Sequence, residues 1–210
     1  MKLHFFLAAF CIINTSSRAQ TADSIPGEYY LEGIMETASG IQLRPDSSFN
    51  FFYTYGSLDR YGSGKWSFKE GQVILNSKRR PGADFRLVES KKVGDGYLTI
   101  RIVDKTTQIL NHIECTIRYQ KGLRQAMTNS GGVARFQAEK ADSILLMLDL
   151  CPEKYTAFVV NPAKDYYEFT IEPWIGEVFF EEFALKWESN SLNGRHPLLS
   201  GNQFRYSKNN

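Results

Sequence analysis

Apolar and polar positions alternate along most of this chain in short runs, the period-two pattern of strands with one buried face. The clearest run is 48–55, where Phe49, Phe51, Tyr53 and Tyr55 fall on one side and Ser48, Asn50 and Thr54 on the other. Further strands are predicted at 29–35, 41–43, 73–75 and 85–88. After Gly62-Ser63-Gly64 another is predicted, with Trp66 and Phe68 opposite Lys65 and Ser67. Turn residues punctuate them: Ala38-Ser39-Gly40, Pro45-Asp46, Glu70-Gly71 and Pro81-Gly82. The second half continues in the same style. Leu98, Ile100 and Ile102 alternate with Thr99 and Arg101, and an inward row is predicted at Ile109, Ile113, Cys115, Ile117 and Tyr119. Strands follow at 133–136, 155–160 and 166–171. The run 144–150 is apolar on both faces, as for a strand covered on both sides. No sustained helical periodicity and no tandem repeat interrupts the pattern. The expectation is an all-β protein built from antiparallel barrel or sandwich units.

The first residues read differently. Lys2 is followed by an apolar stretch over 3–13 and by Ser17-Arg18-Ala19, with small residues where a signal peptidase needs them. The segment 1–19 is therefore read as a secretory signal peptide, too short in its apolar part to span a bilayer. Its two cations, Lys2 and Arg18, account for the whole formal charge of +2. The mature chain is thus balanced. It lacks the basic excess that displaces counterions from nucleic acid, so no nucleic-acid partner is expected. No second long apolar stretch follows, so no transmembrane segment is expected after cleavage, and the protein is read as periplasmic or extracellular.

Candidate chemistry is thin. With Cys11 in the leader, Cys115 and Cys151 remain. In an oxidising compartment they are a possible disulfide; the alternative is two buried thiols. Ser63 lies in Gly62-Ser63-Gly64, which is not the G-x-S-x-G elbow of a hydrolase. His112 and Glu114 share a strand face but offer two metal ligands where zinc takes three or four. Glu181 and Glu182 point to opposite faces of a strand and do not flank one bond. No catalytic residue, metal site or cofactor is expected.

Binding fares better. A barrel lined by Phe49, Phe51, Tyr53 and Tyr55 places tyrosine hydroxyls toward one end, beside Asp59, Arg60 and Tyr61. Tyr53, Tyr55, Arg60 and Tyr61 are accordingly the candidate ligand-binding residues at a barrel mouth. The competing reading is a filled core whose hydroxyls pair with backbone.

Two stretches carry family resemblances. Pro26-Gly27-Glu28-Tyr29-Tyr30-Leu31, then Leu43, Pro45, Asp46, Phe49 and Phe51, then Gly64, Trp66, Gly71 and Val73 resemble small lipocalin-like β-barrel domains of exported bacterial proteins. Ile102-Val103-Asp104 and Thr128-Asn129-Ser130-Gly131-Gly132-Val133 resemble the carboxypeptidase-regulatory or transthyretin-like sandwich, with Asn129 and Ser130 where that family usually has an acidic residue. As a whole the chain resembles uncharacterised secreted proteins of Bacteroidetes-type bacteria, a resemblance that implies no activity. The division expected is a signal peptide at 1–19, a lipocalin-like domain at 20–96, and a seven-stranded transthyretin-like sandwich at 97–173. A C-terminal strand and tail at 174–210 would complete the first domain or stand apart from it. The expected function is that of a non-catalytic interaction or structural module that docks another envelope or secreted protein. The alternative is small apolar-ligand binding in the barrel.

Overall fold

The computed structural model describes residues 25–209, so the leader expected at 1–19 lies outside the described residues. The all-β expectation holds, with sixteen strands and one 3₁₀ turn at Thr107–His112 among those residues. The first five strands form an antiparallel meander: β1 (Gly27–Leu31), β2 (Thr37–Leu43), β3 (Ser48–Tyr55), β4 (Leu58–Lys69) and β5 (Gln72–Asn76). Eight more follow: β6 (Phe85–Lys91), β7 (Tyr97–Val103), β8 (Ile113–Tyr119), β9 (Gly122–Met127), β10 (Val133–Gln137), β11 (Ala141–Leu148), β12 (Thr156–Val159) and β13 (Tyr166–Ile171). The last three are β14 (Phe183–Glu188), β15 (Ser191–Gly194) and β16 (Phe204–Lys208).

β14 pairs with β5 and β16 with β1, so the tail closes an eight-stranded antiparallel barrel in the order β1-β16-β15-β14-β5-β4-β3-β2. Closure leaves no unpaired edge along these strands. The intervening chain folds as two four-stranded sheets, β10-β7-β13-β6 and β12-β11-β8-β9, whose facing sides share one aliphatic core. The sandwich is thus inserted between β5 and β14. Chain leaves and re-enters the barrel along adjacent crossings, joined by Glu172 N–H to Asp84 O and by Trp174 Nε1–H to Ala83 O.

Several local expectations change. Ala38-Ser39-Gly40 is not a turn but the middle of β2; the chain turns earlier, at 32–36, where Gly33 and Glu36 have positive φ. Gly40 stays in the strand because the Phe52 ring lies over it, and a Cβ there would come within 2.5 Å of Phe52 Cε1. Gly62-Ser63-Gly64 does not open a strand either; it lies inside β4, with Gly62 facing inward against Phe180. The segment 85–96, placed with the barrel by sequence, instead supplies β6, which pairs with β13 from Phe85↔Ile171 onward. The sandwich has eight strands where seven were expected. Two of them were not placed there by sequence: β6, read with the barrel, and β9, whose mostly exposed residues hide the alternation that marks a strand. On β4, Trp66 is half-buried, packing on the barrel core and donating from Nε1 to Arg44 O.

Candidate functional site

The barrel row read from sequence is real as far as Tyr53. Phe49, Phe51 and Tyr53 are buried, and Tyr53 lies opposite Arg60 in the β3–β4 register, both facing inward. Tyr55 ends the row exposed at the rim. Tyr61 follows Arg60 by one residue and therefore points outward, on the other side of the barrel wall. Of the four candidate residues the structure brings together Tyr53, Tyr55 and Arg60, and separates Tyr61 from them.

What fills the mouth was not legible in the sequence. Val178 and Phe180, from a stretch that stood out only for its glutamates, turn into the barrel beside β4. Val178 N–H donates to Tyr61 O, and Gly62 leaves the space: a Cβ there would lie 2.7 Å from both Val178 O and Phe180 Cε2. Phe180 sits edge-on to Phe49, Phe51 and Phe183 at centroid distances of 5.2, 5.3 and 5.3 Å. His196, within the segment 174–210, is buried and stacks on Tyr206. Its Nδ1 accepts from Leu198 N–H and Leu199 N–H, which leaves Nε2 to donate to Ser39 Oγ at 3.2 Å. Burial pushes this imidazole down to about 4, so it is neutral at pH 7.

The sandwich closes over the rim through the loop after β11. The Arg60 side chain, 2% exposed, forks onto the Glu153 carboxylate, and its Nε donates to Gly176 O at 2.9 Å. Burial works to raise the Glu153 carboxyl, but the hydrogen bond and charge of Arg60 outweigh it and hold the group below its ordinary value. Next to it, Lys154 Nζ spends its donors on three backbone carbonyls of the returning crossing: Trp174, Ile175 and Glu177. Burial lowers the Lys154 pKa, with Asp84 opposing. These contacts bind barrel, crossing and sandwich into one junction. Its polar groups are paired within the protein, Arg60 with Glu153 and Gly176 O, and Lys154 with the three carbonyls.

Clefts flank the junction. One of about 590 Å³ is lined by Tyr53, Tyr55, Leu58, Leu150 and Pro197. On the outer wall, Tyr61 lines a separate groove of about 570 Å³. Among the described residues no group of three or more His, Cys, Asp or Glu side chains is placed to hold a metal, and no helix is long and apolar enough to cross a membrane. His112 Nδ1 meets Asp149 at 3.1 Å, while Glu114 accepts from Gln125. Cys115 and Cys151 are not bonded; both are buried free thiols. Cys115 faces the sandwich core from β8, and Cys151 lies beyond the end of β11, in the turn that carries Glu153. Burial, with the Glu114 charge adding to it, pushes the Cys115 thiol up to about 12.

Comparison with known proteins found no matching family model, no matching curated protein and no matching solved structure.

Proposed function

We propose that the protein is a non-catalytic interaction module of the exported fraction, and that it docks another envelope or secreted protein through the outer face of the β12-β11-β8-β9 sheet. One observation carries this reading: the outward half of the apolar run 144–150 has no cover. Leu145 and Met147 are half-buried where a strand covered on both sides would hide them. Around them Leu123 and Met127 on β9 are exposed, and Val159 on the edge strand β12 is 87% exposed. Pairing places Leu145 beside Thr116 and Ala157 and Met147 beside Glu114, so the apolar side chains of β9, β11 and β12 flank a polar row, Glu114, Thr116 and Arg118, on β8. Patches of this composition on soluble domains mark contact surfaces. The junction supports the same reading, since Arg60, Glu153 and Lys154 tie the sandwich to the barrel beside this sheet.

Leu145→Lys with Met147→Lys tests it. Both side chains point away from the core, so the melting temperature should stay near that of the parent. A partner retained from the envelope or secreted fraction by the parent should be lost from the variant. Identical retained sets would overturn the assignment of this face. A second reading, small apolar-ligand binding, draws on the cleft beside Tyr53 and Tyr55. Uptake of an apolar fluorescent probe that Tyr55→Ala abolishes would favour it.

A further inference from the structure

The outer barrel wall carries two ordered rows that the docking face of the sandwich does not involve. Strand register sets them side by side across β1, β2, β3 and β4. Tyr30 lies opposite Gly40, Gly40 opposite Phe52, and Phe52 opposite Tyr61. In the next row, Glu28 lies opposite Gln42, Gln42 opposite Asn50, and Asn50 opposite Ser63. The first row is aromatic, with one glycine; the second is entirely hydrogen-bonding. Together they line the groove of about 570 Å³, within the range of small-ligand sites.

The details are those of a prepared surface. Because Gly40 has no side chain, the Phe52 ring settles over it and forms the groove floor. Tyr30 stands edge-on to Phe52 at 6.2 Å, and Tyr61 is 53% exposed at the far end. Three strand spacings of about 4.8 Å separate β1 from β4, so the aromatic row runs roughly 14 Å. The polar row is held in place. Glu28 accepts from Tyr30 Oη and from Gln42 Nε2. Turned so that both its ends are satisfied, the Asn50 amide donates to Phe49 O and accepts from Arg44.

We infer that this groove binds a neutral saccharide chain, its sugar rings lying on Tyr30, Phe52 and Tyr61 and its hydroxyls meeting Glu28, Gln42 and Ser63. A sugar ring presents C–H groups on its face and hydroxyls on its rim, and the two rows match these in turn. Hydroxyls both donate and accept, which suits a row holding a carboxylate, amides and a hydroxyl. The row's elongation fits linked rings rather than a compact cation, which needs aromatic faces gathered within about 6 Å of one point. Among the residues lining the groove Glu28 alone is charged, so none of them offers an anionic polymer a cation to pair with. A proline-rich peptide fits less well: its backbone offers mainly carbonyl acceptors, which the Glu28 carboxylate does not pair.

The test is affinity electrophoresis of the mature chain in native gels cast with a soluble mixed-linkage β-glucan, a galactomannan or a neutral xylan, with polygalacturonate as the charged control. At least one neutral polymer should retard the protein. Tyr61→Ala, whose ring supports no core, should weaken that retardation at least fivefold at unchanged melting temperature, and Gln42→Ala should weaken it as well. Polygalacturonate should leave mobility unchanged. Absence of retardation in all three neutral gels would overturn the inference, as would equal retardation of parent and Tyr61→Ala. Binding of a proline-rich decapeptide that Tyr61→Ala removes, with no response to the glycans, would reassign the groove to peptides. None of these outcomes bears on the sandwich face, which the lysine substitutions address separately.

Discussion

The barrel is filled by rings, with Phe49, Phe51, Phe180, Phe183, Trp187 and Tyr206 meeting inside it, whereas the sandwich core is mainly aliphatic, with Ile100, Ile102, Ile113, Ile117, Ile144 and Leu146 fully buried. Geometry explains the choice. Eight strands closed on themselves leave a lumen that large side chains must span, while two facing sheets about 10 Å apart interdigitate with branched aliphatics. The polar inventory differs in step. The barrel buries Arg60 and His196, each supplied with partners, while the sandwich buries threonines such as Thr99, Thr116 and Thr128 together with the carboxylate of Asp165, held by Lys92 and by the N–H groups of Val93 and Gly94. Connectivity separates them further. The sandwich comes from one continuous stretch of chain, and the barrel from two stretches on either side of it. The barrel therefore depends on late residues finding early strands, and its edges are sealed; the sandwich keeps open edges and an uncovered outer face.

The largest expected effect lies at the point where the returning chain plugs the barrel. Phe180→Ala should cost about 3–5 kcal/mol, since the cavity opens among rings and beside Gly62 with nothing to collapse into it. Hydrogen exchange should quicken through β1 to β5 and β14 to β16 while β8 and β11 keep their protection. Ile144→Val in the sandwich should cost only about 0.5–1.5 kcal/mol. Equal loss of protection in both units would show that the junction makes them one cooperative block.

Acid should come next, and it should strike the barrel. The His196 imidazole takes a proton near pH 4 when folded but near 6.5 when unfolded. Between those values the unfolded chain binds more protons, so stability is complete above pH 6.5 and is lost as pH falls toward 4. The shift corresponds to roughly 3 kcal/mol. Melting curves across that window should show the loss in the parent and a flatter profile in His196→Gln. The same slope in both would place the titrating group elsewhere.

The smallest expected effect is in the sandwich. Cys115 and Cys151 should not react with an aromatic disulfide reagent at pH 8 in the native state, because burial raises both thiols. Both should react at once in denaturant without reductant. Failure to find two thiols there would restore the disulfide.

Strand positions and inward rows were readable from sequence because alternation depends only on each strand having one dry face. Phe49, Phe51 and Tyr53 on β3, and Ile113, Cys115 and Ile117 on β8, show it directly. The signal failed where that condition failed. β9 shows little burial, and Gly40 and Gly62 read as punctuation although neighbouring rings hold them within strands. Glu153, Lys154 and His196 carried no local mark at all. Their roles arise from partners far away in the chain: Arg60 for Glu153, Trp174 O for Lys154 and Ser39 for His196.

By itself the sequence determined that this protein is all-β, that its charge is nearly balanced, and which residues face inward along the clearer strands. These are properties of short windows, where side-chain period and turn chemistry act within a few residues. Only the tertiary structure decided that β6 joins β13, that β14 to β16 close the barrel, and that Tyr61 stands across the wall from Tyr53 and Arg60. It also set the aromatic and polar rows of the outer groove side by side. Those choices rest on backbone pairing between distant segments, for which period-two patterns are interchangeable: any strand with one apolar face satisfies any sheet edge, and the packing of the whole core selects among them.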